Sequence, residues 1–356
     1  MNADARNASL VLDSVARAVA NWTVDHHVET HPQLVHRYGP SWRADWVNHT
    51  LAQLGLLAQA TAMQSEALFV QSAGWTHASF TARGIDGDDL LRNLSSLRRV
   101  LSKELPPPVA ERVAPLVDGA LKSLSTHRKG DTPPAAPLPH HDRMLHYLEA
   151  ILDANRSGAE KIIQSALDAG IDIPSIYEQI LAPAQARLGE MWHRGEISVA
   201  DEHMGSATTQ TVMSQLRLKF ERAAPNGRSV VGTATAGDLH EIGLRMVTDL
   251  FELDGWEVLF LGANTPSADV IELLLRREPD LLALSVSTAL TLRDAGDLID
   301  SIRATDSISG TMVLIGGSPF RLVQGLWKEL GADGCAHSAT EAVETGNRLF
   351  SRQRGS

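Results

Sequence analysis

Val230-Val231-Gly232-Thr233-Ala234-Thr235, then Ala236-Gly237, then Asp238-Leu239-His240-Glu241-Ile242-Gly243: an apolar run of strand length gives way to a short polar loop, and an amphipathic helix comes next. A His at the carboxyl end of a parallel strand projects into the crevice where open α/β sheets bind ligands. Asp238, two residues before His240, is close enough to hold one imidazole nitrogen while the other meets a metal. Gly243 removes a side chain where a ligand would pass. The run therefore reads as a metal-binding loop, although three fixed residues also occur by chance and a His here can be only a cap or a surface residue.

The residues downstream give the loop its context. After Gly243 come 41 residues and then Ser285-Val286-Ser287, and 28 residues beyond Ser287 stand Gly316-Gly317, closing the apolar run Thr311 to Ile315. With these elements in register the chain resembles the cobalamin-binding domain family, whose signature is Asp-x-His-x-x-Gly, a Ser-x-Leu and a later Gly-Gly. The resemblance implies that His240 replaces the cofactor's own benzimidazole as lower cobalt ligand and that Asp238 orients it. It also implies that Leu239 and Gly243 line the cofactor, with the displaced nucleotide tail running beside Ser285, Ser287, Gly316 and Gly317. Ser287 departs from the family's Leu, which touches only the packing behind the tail. The resemblance further makes Thr291 a candidate to extend the His-Asp pair into a relay; the plain alternative is a helix-start Thr that satisfies a backbone amide.

Patterning divides the chain into three segments. Residues 128–139 are too rich in proline for helix or sheet and are expected to form an extended linker. Residues 140–224 show apolar residues at helical spacing in four runs, among them Met144, Leu145, Leu148 and Ile151, which predicts a four-helix bundle. Residues 228–353 alternate strand and helix: strands at 230–235, 257–261, 281–286, 311–315 and 334–336 predict a Rossmann-like, doubly wound five-stranded parallel sheet. The fold class is thus α/β plus all-α, with a further helical domain over residues 1–127.

The bundle carries a second constellation, Trp192-x9-Glu202-His203, with His193 directly after the Trp. In this position, just before a cobalamin-binding domain, it resembles the CarH-like light sensors. The resemblance implies a bundle covering the upper face of the corrin, with Trp192, Glu202 and His203 shaping the space for an adenosyl group and His193 taking the upper cobalt site after light breaks the cobalt-carbon bond. Singly, the same residues read as a core aromatic and as surface or capping histidines.

Composition narrows the field. Hydrophobic residues make up 43% and charged residues 21%, and no apolar stretch approaches the ~20 residues that span a bilayer. The start, Met1 to Arg6, lacks the pattern of a secretory signal, so a cytoplasmic protein is expected. A net charge of -11 argues against direct DNA binding. The only cysteine, Cys335, reads as a small buried hydrophobe, which rules out a disulfide framework.

The first 127 residues read as helices near 9–24, 42–63, 66–81, 88–103 and 110–125, without the DNA-binding helix-turn-helix of CarH-like regulators. They hold His26, His27, His31, His36, Trp42, Trp46, His49, Trp75 and His77. A helical segment joined to a cobalamin unit is similar to the photocobilins, which implies a second chromophore, a bilin such as biliverdin, held without a thioether because Cys335 lies in the far domain. A solvated His-rich face, or a zinc or haem site, are the other readings; Pro32 interrupts the spacing a zinc site would use. Two function classes emerge: a cobalamin photoreceptor signalling through its own oligomeric state or a partner protein, and a corrinoid carrier shuttling methyl groups between methyltransferases.

Overall fold

The computed structural model describes residues 2–126 and 139–353, so the proline-rich stretch expected to be a linker falls outside the described residues apart from Pro139. These residues form two compact units, one built on 2–126 with 289–293 and 322–329, the other on 139–288, 294–321 and 330–353.

The first unit is helical: α1 (Ala3–Thr30), α2 (Leu34–Arg37), α3 (Trp42–Ala62), α4 (Glu66–Ala82), α5 (Gly87–Glu104) and α6 (Pro107–Thr126). Its boundaries obey local chemistry. Asn2 caps α1 by accepting from the amides of Asp4 and Ala5, and Asp86 caps α5 through the Asp88 amide. Pro32 separates α1 from α2, and α6 opens on Pro107, whose missing N–H costs nothing in a first turn. On α5 the residues Leu90, Leu94, Leu97 and Leu101 form one buried stripe.

The second unit begins with the bundle: α7 (His141–Leu152), α8 (Arg156–Asp168), α9 (Ile173–Ile176) continuing through a π turn at Tyr177–Leu181 into α10 (Ala182–His193), and α11 (Val199–Arg217). The π turn sits just before Pro183, which has no N–H for the helical ladder. Ser198 and Asp201 form a reciprocal capping box at the start of α11. Tyr147, Ile151, Tyr177, Ile180, Leu181, Leu188 and Met213 pack as the bundle's core, and Met246 and Leu250 of the next helix join it.

The sheet then alternates as the pattern predicts: β1 (Ser229–Ala234), α12 (Ile242–Leu253), β2 (Glu257–Gly262), α13 (Ser267–Arg277), β3 (Leu281–Ser285), α14 (Leu292–Arg303), β4 (Met312–Gly316), α15 (Ser318–Leu322), α16 (Leu326–Glu329), β5 (Gly334–Ala336) and α17 (Ala339–Gln353). All pairings are parallel in the order β2-β1-β3-β4-β5. The chain leaves β1 toward β2 and returns to β3 on the other side, so the connections diverge between β1 and β3 and open a crevice at their carboxyl ends. A buried joint holds the bundle on α12: the Tyr177 hydroxyl donates to Asp249 at 2.7 Å, Arg217 donates to Asp249 at 2.8 Å, and Arg217 also pairs with Glu252. Glu178 accepts from the Thr340 amide at 2.8 Å, at the start of α17.

Candidate functional site

The loop after β1 lies at the divergence point. His240 sits in that loop rather than in a helix, because α12 starts only at Ile242. Its Nδ1 is 2.8 Å from Asp238 Oδ1, and Asp238 is 1% exposed while the His240 side chain is 68% exposed. The ring is thus anchored on its buried edge, and Nε2 has no hydrogen-bond partner among the described residues, the state of a His ready to ligate a metal. Both Asp238 oxygens are used: Oδ1 also accepts from the His240 amide at 3.1 Å, and Oδ2 accepts from the Ser287 amide at 2.6 Å. Burial pushes the Asp238 carboxyl up, but the bonds from His240 and the Ser287 amide outweigh it and hold the carboxyl below its usual range. The bond to Asp238 raises the His240 imidazole against the opposing effect of burial, and the charges of Asp238 and Glu202 add to it.

The other signature residues fall around this pair. Ser287 contributes its backbone N–H to Asp238, which any residue but proline could do, so the departure from Leu leaves that bond intact. The Ser285 carbonyl accepts from the Thr235 amide at 3.1 Å, tying the ends of β1 and β3, while its half-buried hydroxyl has no partner among the described residues. Gly316 and Gly317 have a reason of their own: a Cβ at Gly317 (φ +128°) would run into the Val286 carbonyl oxygen, and one at Gly316 would lie 2.8 Å from the Ala336 oxygen. Gly243 is different, since a Cβ there meets nothing within 4 Å. Leu239 is 73% exposed beside His240. Thr291 is buried at the end of a short 3-10 turn in the first compact unit.

In the bundle, His203 Nε2 and Glu202 Oε2 are 3.6 Å apart near the start of α11, with His203 largely exposed. Ser206 donates to Glu202 at 2.7 Å, one turn along. Trp192 and His193 end α10; the indole is partly exposed and the imidazole is 8% exposed. Sequence reasoning missed Asn264, which takes the Gly237 amide on its side chain at 2.8 Å and gives its own amide to the Asp238 carbonyl at 2.9 Å. An Asn two residues past the end of a strand, a residue type that tolerates the φ of +52° found there, is its only sequence signal. Sequence reasoning also missed the bond from Gln210 of α11 to Glu241, 2.8 Å, for which the spacing 202, 206, 210 on one helix face was the available clue.

These features match known proteins. A model of the B12 binding domain matches residues 228–345, and a second B12 binding domain model matches residues 146–217. Monomethylamine corrinoid protein 1 of Methanosarcina mazei is 30% identical over 202 residues, 55% of this chain and 91% of that protein. The chain belongs to the cobalamin-binding corrinoid-protein family. Dimethylamine corrinoid protein 3 of Methanosarcina acetivorans is 26% identical over 211 residues, covering 58% of this chain and 97% of that one. The solved monomethylamine corrinoid protein of Methanosarcina barkeri covers 59% of this chain and 100% of its own, with a TM-score of 0.54 at 22% identity, and shares the fold. The two family models lie within residues 146–345, so the first helical unit has no counterpart in them.

The site fits the family's cofactor. His240, standing clear of its loop, would hold the cobalt, and the open space at Gly243 would leave room for the macrocycle.

The first unit brings some of its His and Trp residues together. Trp46 is ringed edge-on by His27 (5.3 Å), His49 (5.6 Å) and Phe80 (5.8 Å), with Tyr38 at 5.9 Å and His31 against His27. His27 Nε2 and His49 Nε2, and elsewhere in the unit Thr23 Oγ1 and Gln53 Oε1, are buried without hydrogen-bond partners among the described residues. Burial lowers both His27 and His49 to about 4, so both rings are neutral. His26 bonds Ser96 instead, and Trp75 is exposed. Among the described residues no group of three or more His, Cys, Asp or Glu side chains is arranged for a metal ion.

Proposed function

We propose that this protein is a corrinoid carrier, with His240 as lower cobalt ligand, serving group transfer between partner methyltransferases. The observation that carries the reading is the His240 imidazole held by buried Asp238 with its outer nitrogen free, in a bundle-and-sheet unit related to methylamine corrinoid proteins. The corrinoid, when bound, supplies a cobalt-carbon bond at its upper face. The chain's own work is to bind and orient. Asp238 fixes the tautomer of His240, Ser287 and Asn264 fix Asp238, and the hydroxyl of Ser285 is available for the nucleotide tail. In this role the protein is a substrate for its partners rather than a catalyst. Methylated protein should pass its group to an acceptor only when a methyltransferase is added; transfer from free methylcobalamin at the same rate would contradict the carrier reading.

A second reading is a cobalamin light sensor, and one observation favours it. The first helical unit, with its unpartnered buried polar atoms among the described residues, is extra to the carrier module, and it is the part that a bilin such as biliverdin would use. On this reading Trp192, Glu202 and His203 enclose an adenosyl group, His193 replaces it after light, and the output is a change of oligomeric state or a partner signalling protein. Absorption spectra of adenosylcobalamin-loaded protein before and after illumination, with and without biliverdin, separate the two: a photoproduct in which a protein group replaces adenosyl supports the sensor, and a histidine-on dark spectrum whose photoproduct gains no second protein ligand and no biliverdin band supports the carrier.

A further inference from the structure

Glu241 is an unusual residue for its place. It is the N-cap of α12, where Ser, Thr, Asp or Asn would satisfy the open amides, yet its side chain makes no capping bond. Its carboxylate turns away from its own helix. Oε1 accepts from Gln210 Nε2 at 2.8 Å, and Oε2 lies where a Cβ on Gly262 would come within 2.9 Å of it. Gly262 ends β2 at φ +80°, so the position is closed to most side chains and the carboxylate is wedged between the strand end and α11. Gln210 shares a face of α11 with Glu202 and Ser206, at successive spacings of four.

The sheet domain restrains the loop from the Asp238 side, through Ser287 and Asn264. The bundle reaches the other side of His240, at the next residue. We propose that Gln210 is a positioning residue for cobalt ligation: by holding Glu241 against the end of β2, it fixes the backbone immediately after His240 and so the direction in which Nε2 leaves the sheet. The bundle thereby takes part in lower-face ligation as well as facing the site. This rests on the reading of His240 as the lower ligand.

The test loads the full chain with methylcobalamin at neutral pH and reads both affinity and the fraction bound with histidine on cobalt, from the absorption band that moves when the lower nitrogen is absent. Gln210→Met keeps the volume and removes the donor; Glu241→Gln keeps an acceptor for Gln210. Gln210→Met should melt within a few degrees of wild type, lose roughly tenfold in affinity, as second-sphere changes do, and show a reduced histidine-on fraction. Glu241→Gln should keep both near wild type, and Glu241→Ala should match Gln210→Met. If Gln210→Met keeps the wild-type histidine-on fraction, whether or not its melting point falls, Gln210 is only a packing residue and the proposal is overturned. Wild-type protein that binds no methylcobalamin, or binds it with its own base still on cobalt, would overturn the reading of His240 instead.

Discussion

At the scale of single residues, His240 and Asp238 form a unit whose protonation has opposing effects. The pair's ionic contribution to folding comes from a raised imidazole, so it is present at low pH and is lost as pH rises through the folded pKa of His240. Cobalt needs the neutral ring, so ligation behaves in the opposite sense: proton and cobalt compete for Nε2, and ligation weakens as pH falls. A pH titration of cobalamin-loaded protein should therefore show histidine leaving cobalt on the acid side. Asp238→Asn, which removes the main cause of the raised value, should move that transition to lower pH while weakening cobalamin affinity by about 10- to 100-fold. His240→Ala should keep the fold, because the side chain is mostly exposed, and should lose the histidine-on spectrum altogether. An unchanged transition in Asp238→Asn would show that the carboxylate does not set the basicity of the ring.

At the scale of elements, the glycines divide by what surrounds them. Gly317→Ala should destabilise the protein by several kcal/mol, on the order of 3, because a Cβ would strike the Val286 carbonyl at a backbone angle that L residues rarely adopt. Gly243→Val should melt within a few degrees of wild type but lose cobalamin, since the space a side chain would fill there is open. Calorimetry alongside a binding titration distinguishes the two. The joint between the bundle and α12 makes a separate prediction. Arg217→Met leaves Asp249, a carboxyl that burial raises, without its cation and should cost on the order of 3 kcal/mol, against about 1 kcal/mol for Tyr177→Phe. Equal effects in chemical denaturation would contradict this ranking.

The legibility of these elements in the sequence has a physical pattern. Strands β1 to β5 and the bundle helices are visible because apolar period and turn residues encode them, and Gly334–Ala336 is read to the residue. The Asp238 and His240 contact is visible because it spans two residues. What is not visible depends on long-range register. The Ser287 amide on Asp238 lies 49 residues away and is a backbone group that leaves no mark in composition. The Gln210 contact joins residues 31 apart in different elements. The light-sensor expectation rests on four bundle residues, Trp192, His193, Glu202 and His203, whereas the similarity to a monomethylamine corrinoid protein extends over 202 residues.

At the scale of the whole molecule, the chain joins a family module to a helical unit that the family models do not include. The helical unit has its own acid weakness. His27 and His49 titrate near 6.5 when unfolded and at about 4 when buried, so between those values the unfolded chain binds more protons and stability falls as pH drops. Each ring accounts for on the order of 3 kcal/mol, fully lost below about pH 4. Hydrogen exchange of the full chain should show α1 and α3 losing protection between pH 6.5 and 4, and His49→Phe should blunt that loss; protection independent of pH would mean that the rings are hydrated. In the described residues no helix is long and apolar enough to cross a membrane.

A bond from His240 to cobalt would be read directly by the electron paramagnetic resonance of bound cob(II)alamin. With histidine labelled by nitrogen-15 and the cofactor left at natural abundance, each cobalt line should split into two, from the spin-half nucleus of His240. A three-fold splitting, the mark of the cofactor's own nitrogen-14 base, would contradict the account.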